Sequence, residues 1–442
     1  MTSQPLLLII SQVYVPDPAS VGQHLTDVAE AMAARGYRVR VVTSQRGYED
    51  PTQKYPAREC RNGVEVVRLP WSSFGKKTLI HRLVGQALFL VQAIIRGLFA
   101  SRLSTILVST SPPMAAIAAL AIATVRRVPI MYWVMDLNPD QAVTLRRVNP
   151  NGLPVRAMSW LNRGIFARAA RVVVLDRFMA ERITRQYHVK GKLAILPPWP
   201  HEDCSHEVEL ASNPFRAQHN PAGKFVVMYS GNHSMASPVT TLVEAAVRLR
   251  NDDRFLFIFI GGGLGKRDVD AAIANHRPPN ILSLPYQPLD QLKYSLAAAD
   301  LHTVTLGDDM VGIIHPCKIY GAMAVGRPVL FVGPAPSHAA DVLTRFDCGW
   351  HVHHGDLDAT VAAILTAASM CANDRHAMGR RGKSAVEHEF SKRRVLNAFC
   401  DLIEATIPNA DSREEGPRRS HSEVPAVQET SGEPVLETAN AQ

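Results

Sequence analysis

Residues 5–44 read PLLLIISQVYVPDPASVGQHLTDVAEAMAARGYRVRVVTS, and this stretch decides the class of fold. The short, continuous apolar run Leu6–Ile10 predicts a buried strand. Residues 22–35 carry apolar side chains at three-to-four spacing, which predicts a helix that Gly36 ends. The alternation over Arg38–Thr43 predicts a second strand. Strand, helix and strand in this order are typical of a parallel sheet with helices on its faces.

The same alternation of apolar runs and helical patterns continues along the chain in two series. The first series ends at the proline cluster 197–200, and the polar, irregular segment 201–222 then predicts a linker. The predicted strands are Leu6–Ile10, Arg38–Thr43, Val64–Leu69, Thr105–Ser109, Ile130–Val134, Arg171–Leu175 and Leu193–Leu196 before the linker, and Phe225–Tyr229, Phe255–Ile260, Ile281–Leu284, Leu301–Thr305 and Pro328–Val332 after it.

These two series predict an α/β fold of two Rossmann-like, doubly wound parallel-sheet domains. We expect the first domain to span 1–205 and the second 206–390, followed by a helical segment at 391–407. The remainder, 408–442, is rich in Glu, Ser, Pro and Thr and nearly free of aromatic residues, so we expect a disordered tail.

The composition narrows the partners of this chain. A net charge of +8 and a sequence pI near 9.2 favour an anionic partner. Nucleic acid is not expected, because there is no basic run interleaved with aromatic residues, no zinc-finger spacing and no RNA-binding signature. The six cysteines lack close pairs, which favours reduced thiols. The start of the chain lacks a basic leader and a full signal-peptide core, so we expect a cytoplasmic protein.

The segment Leu79–Phe99 predicts an apolar helix bordered by basic residues. Its charge-free part, Leu83–Ile95, is shorter than the ~20 residues that span a bilayer. Two interpretations remain open. The segment is either a basic amphipathic helix that lies on an anionic membrane, or a helix half-buried on the sheet with its cations in water. The first would place the protein at the inner face of the cell membrane.

Candidate functional residues follow the predicted strands, where parallel sheets bind ligands. Asp136 follows Ile130–Val134 and predicts acid–base or charge-stabilising work, with the N-cap of the next helix as the structural alternative. Glycines follow two strands of the second series, at Gly231 and at 261–263, where a backbone can approach an anion. No GxGxxG follows the first strand, which disfavours a dinucleotide.

The segment 315–330, HPCKIYGAMAVGRPVL, carries the strongest local signal. Pro316 can start a helix that Gly326 ends before a strand. Lys318 then lies in the first turn, where a cation opposes the helix dipole. This position is explained if the lysine binds an anion such as a diphosphate.

Together these residues resemble the retaining GT-B glycosyltransferases of family 4. The resemblance rests on Pro-x-Lys-x-Tyr at 316–320, on Ala-Met-Ala-x-Gly-Arg-Pro-Val at 322–329, and on residues 134–140, 229–232 and 285–288. It covers roughly residues 5–400 and is greatest to the bacterial branch, including WbuB-like transferases, that builds colanic acid and O-antigen.

The resemblance implies two domains that face each other across a cleft, with the acceptor on the first and the nucleotide-sugar donor on the second. The last helix would cross back to the first domain. The implied activity is that of a hexosyltransferase, which needs neither metal nor other cofactor. It would move a sugar from a UDP- or GDP-linked donor to a lipid-linked or oligosaccharide acceptor in surface polysaccharide biosynthesis.

The resemblance also implies roles for single residues. Asp136, which would face the reacting sugar, and Lys318, which would hold the donor diphosphate, are the expected catalytic residues. The expected donor-binding residues are Gly22, Gly231, Asn232, Gly262, Gly263, Pro285, Tyr286, His315, Pro316 and Tyr320, with Pro285 and Tyr286 at the nucleobase. No metal ligand is expected.

One departure from the family pattern keeps alternatives open. Relatives often carry two glutamates eight residues apart, where this chain has Ile313 and Gly321. Asp308, Asp309 or His315 are the candidates to replace them. The two alternative functions are a sugar-nucleotide epimerase of the same fold, which would need carboxylates in the cleft, and a catalytically silent scaffold of a polysaccharide assembly complex.

Overall fold

The computed structural model describes residues 4–17, 19–47, 52–72, 79–200, 208–220 and 223–408. The predicted disorder of the tail beyond Pro408 and the first part of the predicted linker, 201–207, lie outside the described residues. Within these ranges the strands are β1 (Leu6–Ile10), β2 (Arg38–Ser44), β3 (Arg58–Arg61), β4 (Val64–Leu69), β5 (Leu103–Ser109), β6 (Ile130–Trp133), β7 (Arg171–Val174), β8 (Leu193–Ile195), β9 (Phe225–Ser230), β10 (Phe255–Ile260), β11 (Ile281–Leu284), β12 (Leu301–Thr305), β13 (Val329–Val332) and β14 (Gly349–Val352).

The described helices alternate with these strands. They are α1 (Ser20–Ala34), α2 (Leu79–Leu98), α3 (Ala115–Arg126), α4 (Asp140–Thr144), α5 (Leu153–Arg168), α6 (Arg177–Gln186), α7 (Pro214–His219), α8 (Thr240–Arg248), α9 (Lys266–His276), α10 (Leu292–Ala297), α11 (Lys318–Ala324), α12 (His338–Phe346), α13 (Leu357–Ser369), α14 (Ala372–His388) and α15 (Lys392–Glu404). None of the helices in the described ranges is long and apolar enough to cross a membrane.

The strands form two sheets. The first has the order β3-β4-β2-β1-β5-β6-β7-β8 and the second β11-β10-β9-β12-β13-β14. All pairs are parallel except β3 with β4, which is an antiparallel edge pair. Every residue of β1 and β5 is buried, because helices cover both faces of the central strands. The predicted α/β class with two parallel sheets is therefore confirmed.

The helices of the first sheet divide between its two faces. α2 and α5 both pack against α3 on one face, whereas α15 packs against α1 on the other. The guanidinium of Arg35 at the end of α1 lies 2.6 Å from the Asp401 carboxylate and 3.0 Å from that of Glu404. The ring of Phe399 lies 4.4 Å from that of Trp133 in β6. The last described helix therefore closes the core of the first sheet.

Sequence patterns missed some elements. The predicted linker contains α7, which begins after Asn213, whose side chain accepts hydrogen bonds from the backbone N–H groups of Phe215 and Arg216. Pro214 at the first helical position and an Asn cap are ordinary helix-start signals, so the prediction of irregular structure is wrong there. The edge strands β3 and β14 are short and mostly exposed or half-buried, which hides their alternation.

Candidate active site

Two glycine-rich turns face each other at the carboxyl edge of the second sheet. β9 and β10 pair in parallel with Ser230 opposite Ile260, so the turns that follow them emerge side by side. Gly231 and Gly261 have φ values of +125° and +124°, in the region that favours glycine. A Cβ atom on Gly261 would overlap the carbonyl oxygen of Gly231. The two backbones thus come closer than any side chain would permit.

Lys318 projects from α11 toward these turns. A Cβ atom on Gly231 would lie 2.7 Å from Cε of Lys318, and the lysine Nζ lies 5.4 Å from the centroid of the Tyr229 ring. Across the described ranges, no carboxylate forms an ion pair with this ammonium. Within the same ranges, the backbone N–H groups of Asn232, Gly262 and Gly263 donate no hydrogen bond. An anion placed here would meet one free cation and several free donors.

Lys266, the other lysine at these turns, has a different role. Its Nζ donates to the carbonyl oxygens of Gly261 (3.0 Å) and Leu284 (3.2 Å), and so fixes the turn to the end of β11. Tyr286, two residues after β11, is 55% exposed, and its ring lies beside Gly262. Its hydroxyl lies 3.4 Å from the Gly262 carbonyl. An exposed ring next to an anion site is suited to stacking on a planar base.

Asp136 lies where the two sheets meet. Its backbone N–H donates to the Thr110 hydroxyl (3.2 Å), and it forms an isolated bridge with Ile314. Burial raises the pKa of the Asp136 carboxyl to about 6, against an opposing effect of the His315 charge. Burial, and then the charge of Asp136, raise the pKa of the Cys317 thiol to about 12. The carboxylate thus lies close to the residue that precedes Lys318.

A buried polar network behind Lys318 connects the part of the chain that forms the first sheet to the part that forms the second sheet. His315 contacts Asp176, the N-cap of α6, with 2.6 Å between Nδ1 and Oδ2. The other ring nitrogen of His315 lies 3.0 Å from the Tyr320 hydroxyl, which lies 2.8 Å from Nε2 of His338. Burial alone would raise the pKa of Asp176, but the hydrogen bond and charge of His315 outweigh it and hold the pKa below its usual value.

The predicted site residues fall into three places. Those around the turns are Gly231, Asn232, Gly262, Gly263, Pro285, Tyr286 and Lys318, and Pro316 lies just before α11. His315 and Tyr320 lie in the buried network, and Asp136 lies where the two sheets meet. Gly22 is at the start of α1, where a Cβ atom would lie 3.2 Å from the backbone of Tyr14, so packing alone explains this glycine. The roles of all these residues stay predictions.

The two positions that carry glutamates in relatives provide no carboxylate here. Ile313 is fully buried, and its carbonyl accepts the Leu137 N–H at 2.9 Å. Gly321, on α11, faces Leu296 of α10. Both ring nitrogens of His315 have partners, whereas Asp308 and Asp309 are exposed on a 3-10 turn. In the described ranges, no group of three or more His, Cys, Asp or Glu side chains could hold a metal ion.

Sequence reasoning missed His233, Asp176 and His338. The His233 ring is fully buried, 4.8 Å from the Tyr229 ring. Burial, then the charges of Lys318 and Lys266, lower its pKa to about 4. Asp176 follows β7, so its position at a strand end was a usable signal. His233 follows β9, so the same signal was usable there. His338 carries no such signal, because its neighbours come from distant segments.

Buried histidines predict loss of stability in acid. Burial lowers the pKa values of His233 and His302 to about 4 and that of His338 to about 3, below the usual 6.5. Between pH 6.5 and 4 the unfolded chain therefore binds protons that the folded chain does not, and stability falls with pH. Asp136 acts in the opposite direction, but it is one group against three. We expect the free energy of unfolding to fall by several kcal/mol from pH 7.5 to 5 in denaturant titrations.

The control for this prediction is His302→Gln. It removes one of the three buried titrating groups, in β12, so the fall in stability should become smaller. Equal stability of the unmodified protein at pH 7.5 and pH 5 would contradict the prediction.

Comparison with known proteins identifies the kind of molecule that carries this site. Residues 20–199 match the family model described as a glycosyl transferase 4-like domain. The chain is 22% identical over 414 residues, 90% of its length and 99% of the relative's, to a putative colanic acid biosynthesis glycosyl transferase, WcaI, of Escherichia coli strain K12. It is 24% identical over 274 residues, 61% of its length and 68% of the relative's, to the probable glycosyltransferase WbjE of Pseudomonas aeruginosa.

A solved structure shares the architecture of most of the chain. HepE of Anabaena, solved in complex with UDP-glucose, matches with a TM-score of 0.67 at 14% identity, over 90% of this chain and 99% of HepE. This likeness concerns the fold, and the family match concerns residues 20–199. The chain therefore has the GT-B fold, and its residues 20–199 match a glycosyl transferase 4-like domain.

Proposed function

We propose that this protein is a retaining, metal-independent glycosyltransferase of surface polysaccharide biosynthesis that uses a UDP- or GDP-linked sugar and a lipid-linked acceptor. One observation carries the proposal. The ammonium of Lys318 lies against the glycine turns without an anionic partner in the described ranges, next to N–H groups that donate to nothing there. A nucleotide diphosphate supplies the missing anion. The description of WcaI as a putative glycosyl transferase, and the structure of HepE in complex with UDP-glucose, support the same chemistry.

The proposed reaction depends on the charge of the departing diphosphate. Lys318 and the N–H groups of Asn232, Gly262 and Gly263 would bind the diphosphate, with the base against Tyr286. As the bond from the sugar carbon to the phosphate oxygen breaks, negative charge grows on the diphosphate and positive charge grows on the sugar. Lys318 stabilises the first and the Asp136 carboxylate the second. The acceptor hydroxyl then forms the new bond to the sugar carbon on the face that the diphosphate leaves, and its proton passes to the departing phosphate oxygen.

Helix α2, which covers one face of the first sheet, has features that support contact with an anionic membrane. On α2, Gly97 packs so closely on α3 that a Cβ atom would overlap Ile122. The other face of the helix exposes the large apolar side chains Leu83, Val84, Val91 and Ile95, and Phe99 beyond its end. The interpretation as a half-buried helix corresponds to the face that packs on α3. The interpretation as an amphipathic helix corresponds to the exposed apolar face. We propose that the exposed face lies on the inner leaflet of the cell membrane.

The charge distribution supports the same proposal. Residues 66–175 contain fourteen Lys and Arg but only two acids, Asp136 and Asp140, for a net charge of +12. The rest of the chain therefore carries −4 of the total of +8. A basic surface of this kind is attracted to anionic lipid head groups.

Calorimetric titration of UDP, GDP and their sugar conjugates tests the donor site. We expect one nucleotide to bind at micromolar concentration. Lys318→Ala should weaken this binding about 10- to 100-fold, because a hydrogen bond to a charged group contributes about 1.5–3 kcal/mol. Lys293→Ala is the matched control, since Lys293 also lies over a tyrosine ring, at 5.1 Å from that of Tyr294, but on α10.

The outcomes separate the proposed functions. Absence of nucleotide binding, or equal binding by Lys318→Ala, would overturn the donor site. Binding without sugar transfer on bacterial membranes would favour the scaffold. Release of free, rearranged sugar without an acceptor product would favour the epimerase.

A further inference from the structure

An exposed tryptophan lies just beyond the carboxyl end of β4 in a strained backbone conformation. Trp71 comes two residues after the end of β4 and is 65% exposed. Its φ is +54°, in the left-handed region that bulky side chains avoid. The other described non-glycine residues with positive φ are all Asn, Asp or Arg. Neither burial nor ordinary turn preference therefore explains a tryptophan at this position.

The residues on both sides of Trp71 hold it in this conformation. The hydroxyl of Ser72 is buried and lies 2.6 Å from the carbonyl oxygen of Leu69. On the other side, the Gln92 side chain of α2 donates to the Pro70 carbonyl oxygen at 2.7 Å. Backbone strain persists only where the surrounding structure fixes it, and such positions are concentrated at sites that bind ligands. The strain thus points to a use for the exposed indole.

A line of polar contacts runs from Trp71 along the carboxyl edge of the first sheet. The Ser72 hydroxyl lies 2.8 Å from that of Ser44, at the end of β2. Gln12, which follows β1, donates from its side chain to the Ser72 carbonyl oxygen at 3.0 Å. Its backbone N–H donates to the carbonyl oxygen of Ser111, which follows β5, at 3.1 Å. Hydroxyl and amide groups therefore connect the ends of four neighbouring strands, and we call this line the polar edge.

The polar edge leads to Asp136. The Thr110 hydroxyl, next to Ser111, accepts the Asp136 backbone N–H at 3.2 Å. Thr110 and Ser111 are only half-buried, so this part of the edge is open to solvent. Four strand spacings separate β4 from β6, which amounts to about 19 Å across the sheet. This span is longer than one sugar ring and suits a short chain of sugars.

A sugar chain matches both features of this surface. One face of a hexose ring carries only C–H groups and packs on an indole, whereas its hydroxyl groups need hydrogen-bonding partners. Trp71 supplies the aromatic face, and the polar edge supplies the partners. A membrane could also contact an exposed tryptophan, but it would not use the hydroxyl and amide groups that continue from it.

We propose that Trp71 stacks on one sugar of an oligosaccharide acceptor, several sugars away from the hydroxyl that reacts beside Asp136. This inference rests on the proposed function and adds that the acceptor is an oligosaccharide rather than a single sugar. The sugars between these two points would follow the polar edge. Trp71 binds the acceptor and takes no part in making or breaking bonds.

Kinetics with acceptors of two lengths test this proposal. The acceptor is the unfinished glycan that accumulates in a strain lacking this gene, released by mild acid. A second sample is shortened from its reducing end to the terminal sugar, and the donor is the nucleotide sugar that binds in calorimetry. We expect the full-length protein to show a KM at least about tenfold lower for the long glycan, because only that glycan reaches the aromatic face.

Substitutions at Trp71 locate the source of this difference. Trp71→Gly should raise the KM for the long glycan about tenfold and leave kcat and the KM for the short glycan unchanged. Glycine suits the positive φ, so denaturant titration should show no loss of stability. Trp71→Phe keeps an aromatic face and should recover most of the affinity. Trp160→Ala, which removes another exposed indole, from α5, is the matched control and should change neither KM.

Four results would overturn the acceptor subsite. They are an accumulated glycan of a single sugar, equal KM values for the two lengths, an equal rise of both KM values in Trp71→Gly, and an equal effect of Trp160→Ala. Weaker flotation of Trp71→Gly with phosphatidylglycerol vesicles, without a change in either KM, would assign the indole to the membrane instead.

Calorimetry with UDP and GDP distinguishes these failures from failure of the proposed function. Trp71→Gly should bind nucleotide as the unmodified protein does, because the residue lies on the first sheet and the glycine turns lie on the second. A protein that binds nucleotide but ignores acceptor length contradicts only the subsite. One that binds no nucleotide contradicts the proposed function itself.

Discussion

Asp176→Ala is expected to lower the free energy of unfolding by about 3–5 kcal/mol, because it leaves two buried hydrogen-bonding groups without their partner. The carboxylate of Asp176 is almost fully buried and lies 2.6 Å from the His315 ring, and it also accepts the Met179 N–H at 2.8 Å. Alanine leaves both donors without an acceptor. Denaturant titration at pH 7.5 measures the loss.

The same substitution should also weaken nucleotide binding. His315 lies three residues before Lys318, and its contact with Asp176 connects that segment to the part of the chain that forms the first sheet. A ring released from this contact no longer holds the start of α11 in place. Calorimetry on Asp176→Ala should therefore show weaker binding, and Asp176→Asn, which keeps an oxygen for the His315 N–H, should recover much of both losses.

The neighbouring residue provides the control for this prediction. Arg177 forms a salt bridge of 2.8 Å to Asp341, which also joins the two layers, but both side chains are about 40% exposed. Exposed ion pairs contribute about 0–1 kcal/mol, so Arg177→Gln should change stability little. If the two substitutions have equal effects, burial of the Asp176–His315 pair is not what stabilises the contact between the layers.

Asp136→Asn is expected to lower the turnover number about 100- to 1000-fold, the usual cost of removing one preorganised group that stabilises a transition state. Nucleotide affinity should change less than threefold, because the diphosphate site that we propose lies at Lys318 and the glycine turns. Steady-state kinetics and calorimetry together separate the two effects.

The pH dependence gives this prediction a direction. Because burial raises the pKa of Asp136 to about 6, the carboxyl is protonated and uncharged below that pH. The turnover number should therefore fall as the pH drops through 6. This fall should be absent in Asp136→Asn. Asp140→Asn is the control. Because Asp140 pairs with Arg182, this variant should show the same fall in turnover as the unmodified protein. If turnover of Asp136→Asn still falls as the pH drops through 6, another group is responsible for the titration.

The structural alternative for Asp136 can now be judged. The N-cap of α4 is Pro139, and no side chain caps that helix. The Asp136 side chain is thus free of the capping role that the sequence left open. Asp140 lies in the first turn of α4, where an acid also complements the helix dipole.

The sequence by itself determined the two parallel sheets and the residues at the glycine turns. Strands such as Leu6–Ile10 are continuous apolar runs, and helix ends such as Gly36, with φ of +91°, follow local rules. The turns at Gly231 and 261–263 and the lysine at 318 were found because each directly follows or precedes a regular element. The resemblance to GT-B glycosyltransferases, which these residues carried, is confirmed by the fold and the family match.

Only the tertiary structure decided which distant groups meet and which helix faces stay exposed. The Asp176–His315–Tyr320–His338 network joins residues up to 162 positions apart, and no local pattern encodes such a pairing. The same holds for α2, whose apolar side chains cover nearly its whole circumference, so its exposed face depends on where Gly97 lets it pack on α3. Local patterns arise from the geometry of one element, whereas burial and pairing arise from packing between elements that the chain brings together only when it folds.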